Sequence, residues 1–265
     1  MSTPMSAPML PPTPERLPMP LAHRYALYLS PSGPWRECGS RWLGRSADTG
    51  ELLPPLPGQP DAARGWTDAP RHYGLHATLK PPFRLASGAT PQALDAAVRK
   101  LVDGINPFNL MLECETLRGF LAWRIADADT QGQSRIQALA DAAVQTLDAF
   151  RAPPTPEEIA RRQPHALTPE QQAMLARWGY PYVFDTYTFH ITLTGKLEGD
   201  ALEQAQRSIA AFADPLLGQP MPVSSVSLFV QSEPGADFVA ARHYHFDGTQ
   251  SDAVGAPALQ GPAAP

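Results

Sequence analysis

Two stretches, "LHATLKPPF" at residues 75–83 and "FHITLTGKL" at residues 189–197, share one pattern: apolar, His, apolar, Thr, Leu. Side chains alternate across a strand, so Leu75, Ala77 and Leu79 share one face while His76, Thr78 and Lys80 share the other. In the second copy Phe189, Ile191 and Leu193 oppose His190, Thr192 and Thr194. With 7 His in the chain, chance gives fewer than one His-x-Thr, so two copies, each followed by Leu, point to a shared site. Each copy is expected to turn a polar ladder of imidazole and hydroxyl away from its core. Pro81 and Pro82 are expected to stop the first strand.

The elements around the two motifs follow one order. "HRYALYL" (23–29) reads as a strand, followed by a long Pro- and Gly-rich loop through residue 70. After the first motif comes a helix over about 91–103, capped by Thr90, with Pro91 at its first position and Gly104 at its end. "FNLMLECE" and "LRGFLAWRI" read as strands, and 133–150 reads as a helix with a core-facing stripe from Ile136 to Phe150. "TPEE" at Thr155 and "TPEQ" at Thr168 carry capping-box spacing. After the second motif the order recurs: a helix near 200–213, then strands at "VSSVSLFVQ" and "DFVAARHYHF". A repeat this long predicts a duplicated lobe rather than a short-period solenoid. The expected architecture is α+β and bilobal, one domain over 23–246, with lobes of roughly 23–150 and 151–246. Two antiparallel sheets would flank a central groove, with helices outside. Residues 1–22, rich in proline, and the Gly/Ala/Pro-rich tail 247–265 are expected to be disordered.

Composition narrows the function. The chain is 43% hydrophobic and 18% charged, with no apolar run of membrane-spanning length and no secretory segment. Its two cysteines, Cys38 and Cys114, fit neither a disulfide framework nor a zinc pattern, and a cytoplasmic location is expected. A net charge of −5 argues against a long nucleic acid as partner, although residues 23–84 carry a local excess of base. Oligomeric state cannot be read from the sequence.

Paired histidines beside hydroxyls suit displacement at phosphorus. One imidazole takes a proton while the other gives one, since an unperturbed pKa of about 6.5 keeps both forms accessible. Thr78 and Thr192 would donate to the non-bridging oxygens, and no metal or other cofactor is needed. Arg41 and Arg45 could reach the substrate from the long loop, with Trp42 or Tyr73 covering a sugar face. His243 and His245 share a strand face, but with no nearby Cys or carboxylate set they make a weak metal site. His23 and His165 read as surface or packing residues.

The duplicated His-x-Thr strands resemble the two-histidine phosphoesterase superfamily. More closely, "RYALYLSPSGPW", "GSRWLGR", "YGLHATLKPPF" and "WGYPYVFDTYTFHITLTG" resemble a bacterial branch found with phosphonate-degradation (C–P lyase) genes. The resemblance spans roughly residues 23–246. It implies catalytic roles for His76 and His190 and phosphate binding by Thr78 and Thr192. It also implies a small phosphorylated substrate such as a ribosyl cyclic phosphate, with Lys80, opposite Thr194 in the symmetry, on a second phosphate. The expected activity is hydrolysis of a small cyclic phosphate or phosphodiester. The alternatives are an RNA-end 2′,3′-cyclic phosphodiesterase or 2′,5′-ligase-like enzyme, and a non-catalytic nucleotide-binding module.

Overall fold

Strand β1 (Arg24–Leu29) is buried along nearly its whole length, which suits a strand with partners on both edges and cover on both faces. It lies inside an eight-stranded antiparallel sheet in this computed structural model, which describes residues 21–161 and 167–260. After β1 come α1 (Gly33–Leu43), α2 (Ala63–Trp66), α3 (Asp68–Arg71), β2 (Ala77–Phe83) and α4 (Pro91–Val102). Then follow β3 (Phe108–Leu110), β4 (Leu112–Leu117), β5 (Phe120–Ile125), α5 (Thr130–Leu147), α6 (Pro156–Arg161) and α7 (Pro169–Trp178). The chain ends with β6 (Ile191–Thr192), α8 (Gly199–Leu217), β7 (Met221–Val223), β8 (Ser225–Gln231), β9 (Phe238–His245) and β10 (Gln250–Asp252).

The expected pair of sheets is replaced by one large sheet, in the order β10-β9-β8-β1-β2-β6-β5-β4, and a two-stranded ribbon of β3 and β7. The α+β class holds, and every strand pairing is antiparallel. The two motif strands pair with each other, with Ala77 opposite Ile191. The strands β3 and β7, which hold the same place in the repeated order, also pair, with Asn109 opposite Pro222. The outer hairpins cross over. The early hairpin β4–β5 extends the sheet beyond β6, and the late hairpin β8–β9 extends it beyond β1.

The helices form where their caps and stripes place them. Thr90 Oγ1 accepts from Ala93 N at the start of α4, and Thr155 and Thr168 form reciprocal boxes with Glu158 and Gln171. Ile136, Leu139, Ala140, Ala143, Val144 and Leu147 of α5 enter the main core, together with Leu94 and Val98 of α4 and Ala205 and Ile209 of α8. Burying each large aliphatic chain is worth about 1.5–3 kcal/mol.

Four local expectations are corrected. The 31–70 segment carries α1, α2 and the start of α3, with Trp35, Trp42 and Leu43 of α1 buried. Strand β2 runs through Pro81 and Pro82 to Phe83, because β6 is too short to demand amide donors from that end of β2. A bulge in β2 sets Thr78 opposite Tyr28 but Lys80 opposite Leu27, so Leu79 is the extra residue and Lys80 leaves the face of His76. The tail is ordered through residue 260: β10 pairs with β9 and a 3-10 turn buries Ala256 and Leu259. All but Leu21 and Ala22 of the Pro-rich leader, together with His165, lie outside the described residues. Among the described residues, no helix is long and apolar enough to cross a membrane.

Candidate functional site

The single register Ala77↔Ile191 decides the geometry. Continued one residue each way, it sets His76 opposite Thr192 and Thr78 opposite His190, on the sheet face away from Ala77 and Ile191. Antiparallel neighbours have Cβ atoms about 4.5–5.5 Å apart, so the four side chains form a checkerboard across two adjacent strands. All four line one groove with a volume of about 570 Å³, within the usual range for a small-molecule site.

Both imidazoles are held alike. His76 Nδ1 lies 2.9 Å from Gly74 O, and His190 Nδ1 lies 2.8 Å from Thr188 O. A carbonyl can only accept, so Nδ1–H donates in each ring, and in the neutral form Nε2 carries the free lone pair. Gly74 suits this turn because its φ is +73° and a Cβ there would come within 2.7 Å of Ala47 Cβ. Burial pushes the His76 pKa down to about 4, with the carbonyl of Gly74 opposing and the charge of His190 adding to the effect. Burial also lowers the pKa of His190, and the nearby Arg118 and Arg124 lower it further against the raising effect of Thr188 O. Near neutral pH both rings are therefore proton acceptors.

The remaining expected residues divide. Tyr73 lines the groove and stacks on Phe238 with ring centroids 5.3 Å apart. Thr194 also lines it, but its hydroxyl is buried and accepts from Leu121 N, which ties β5 to the end of the motif. Lys80 is corrected: it is 1% exposed on the opposite side of the sheet, donating to Val144 O and pairing with Asp148 at 3.0 Å. Arg41 lines a separate cleft and donates to Pro55 O, so it does not reach the histidines. Arg45 is buried behind the site, donating to the carbonyls of Arg71, His72 and Phe238. It holds the segment that presents Tyr73 and Gly74. Trp42 is packed in the core, with its Nε1 donating to Leu193 O.

Three groups were not picked out from the sequence. Tyr28 stacks on His76 with ring centroids 3.9 Å apart. Phe120 lies 5.8 Å from the ring of His190. Arg124 is set beside His190 by continuing the register Trp123↔Ile191, and it pairs with Glu115. The alternation of β1 could have placed Tyr28 on the face opposite Leu27 and Leu29, but not beside β2.

His243 and His245 part company. His243 Nδ1 meets Ser227 Oγ at 2.6 Å and its Nε2 lies 3.2 Å from Asp48, whereas His245 faces Ser251. Among the described residues, no three His, Cys, Asp or Glu side chains gather as a metal site.

A family described as "Protein of unknown function (DUF1045)" matches residues 78–239. The chain belongs to the DUF1045 family. The match to DUF1045 takes in Thr78, both motif strands from there on, and His190. The chain is also similar to "Ribose 1,5-bisphosphate phosphokinase PhnN" of Laribacter hongkongensis (strain HLHK9), with 38% identity over 221 residues, covering 83% of this chain and 51% of that protein. A protein of the same name from Janthinobacterium sp. (strain Marseille) is 34% identical over 235 residues, covering 85% of this chain and 51% of that protein. The chain thus spans about half the length of the curated relatives it matches. These names overturn the expected hydrolase and cyclic phosphodiesterase, because a phosphokinase moves a phosphoryl group between substrates instead of passing it to water. The error is physical in origin: paired imidazoles specify proton handling at phosphorus and do not specify the acceptor.

Proposed function

We propose that this DUF1045 groove binds a small phosphorylated sugar, ribose 1,5-bisphosphate being the first candidate from the relatives' names, and serves phosphoryl transfer. The observation that carries the reading is the checkerboard of His76, Thr192, Thr78 and His190, with both Nδ1 atoms tied back and, among the described residues, no hydrogen bond on either Nε2. We read it as a two-histidine site of the kind named in the sequence analysis, put to transfer. A neutral Nε2 accepts the proton of a sugar or phosphate hydroxyl. The Thr78 and Thr192 hydroxyls donate to phosphate oxygens, and the flanking Arg124 favours negative charge beside His190. The 265 residues contain no Gly-x-x-x-x-Gly-Lys-Ser/Thr loop for nucleotide phosphates, so we assign this chain the sugar-phosphate side of the transfer.

Calorimetric titration with ribose 5-phosphate, ribose 1,5-bisphosphate and ATP tests the assignment, with phosphorus NMR to follow any transfer. The sugar phosphates should bind, and the double variant His76→Ala/His190→Ala should bind them at least about tenfold more weakly. Undiminished binding in the double variant, or binding of ATP alone, would overturn the reading. The second result would favour a nucleotide-binding module.

A further inference from the structure

The groove is closely symmetric at its centre and unequal at its ends. Ala77 and Ile191 mark equivalent positions in the two motifs, and the same offset carries Pro82 onto Lys196. Both residues line the groove, so one end presents a proline where the other presents an ammonium. Lys196 is exposed, and among the described residues no hydrogen bond or ion pair engages its Nζ. The other charged groups of the groove are committed. Arg24 donates to Gln231 and lies over the Phe238 ring, and Glu158 at the proline end pairs with Arg84.

We propose that Lys196 receives a second phosphate of the substrate, making the groove selective for a bisphosphorylated sugar. The inference rests on the sugar-phosphate reading and adds to it a direction for the bound molecule. One phosphate lies at the histidine–threonine checkerboard and the other towards Lys196, past Thr192 and Thr194. The backbone supports that placement, since Gly195 N donates to Trp66 O and fixes the chain where it leaves β6. Lys196 lies four positions beyond Thr192, at most about 13 Å of extended chain, and a lysine side chain can reach back over part of that span. The charge thus falls at the end of the groove opposite to the one the sequence pattern had assigned to Lys80, on the second motif and beyond the strand.

The test compares dissociation constants for ribose 5-phosphate and ribose 1,5-bisphosphate in wild type, Lys196→Met and Lys196→Arg. Since Lys196 is exposed, its replacement should leave the melting temperature unchanged. Lys196→Met should weaken bisphosphate binding about 10- to 100-fold, the effect of one charge-assisted contact, and leave the monophosphate within about twofold. Lys196→Arg should restore most of the loss. Equal losses on both ligands would place Lys196 at the first phosphate, and no loss on either would remove it from the site; both results overturn the proposal. If the His76→Ala/His190→Ala variant binds both ligands as well as wild type does, the sugar-phosphate reading itself falls, whatever Lys196 does.

Discussion

His76 shows how a residue's surroundings change its chemistry. Stacked against Tyr28 and partly buried at the groove wall, its ring has its pKa pushed down to about 4 from about 6.5, so the folded protein resists a proton that the unfolded chain accepts. The unfolded state binds more protons between those two values, so stability rises with pH across that window. The contribution is complete above about pH 6.5 and is lost as pH falls through about 4. Urea unfolding from pH 4 to 7 should show a gain of roughly 1–3 kcal/mol that shrinks in His76→Gln. A His76 ring signal that titrates near 6.5 in NMR, or an unchanged slope in the variant, would contradict the burial argument. His190 should shift in the same direction, because Arg118 and Arg124 add to its burial.

At the scale of the element, the bulge in β2 decides which side chains belong to the site. One extra residue, Leu79, breaks the alternation, keeps Thr78 with His76 and sends Lys80 to α5. There the ammonium joins Asp148, which Arg151 also engages, and both cations hold the Asp148 carboxyl below the usual range against the raising effect of its burial. Lys80→Met should therefore lower stability by about 1–3 kcal/mol, because Asp148 keeps only one of its two cations. Sugar-phosphate affinity should stay within about twofold of wild type. A variant of normal stability that loses ligand binding would return Lys80 to the groove. The contrast with Lys196 separates two lysines that the strand pattern alone treats alike.

For the whole molecule, the crossing of hairpins is the dominant constraint. Strand β1 needs β8 on one edge, and β6 needs β5 on the other, so each side of the sheet is completed from the distant part of the chain. Fragments 21–150 and 151–260 would each expose an unpaired central strand edge and an uncovered apolar face. Expressed separately, they should lack cooperative unfolding transitions. Mixed or coexpressed, they should recover a single transition seen by circular dichroism. A fragment that melts cooperatively by itself would show that each half folds as a unit.

The sequence by itself determined the elements with strong local physics: the capped starts of α4, α6 and α7, the core stripe of α5, and the apolar strands β1, β8 and β9. It also brought out His76, Thr78, His190 and Thr192, because a two-residue period beside an apolar face is visible without knowing which strands are neighbours. Tertiary structure decided the rest. The pairing Ala77↔Ile191 joined the two expected sheets into one, and burial in the folded groove, where Tyr28 stacks on the ring, lowered the pKa of His76. The short reach of β6 allowed Pro81 and Pro82 inside a strand, and a bulge removed Lys80 from the site. The tail became ordered only because β9 offered it an edge. Alternation and capping act over a few residues and are written locally. The registers that join β2 to β6 and β1 to β8 link segments more than 100 residues apart, and only the folded chain brings those together.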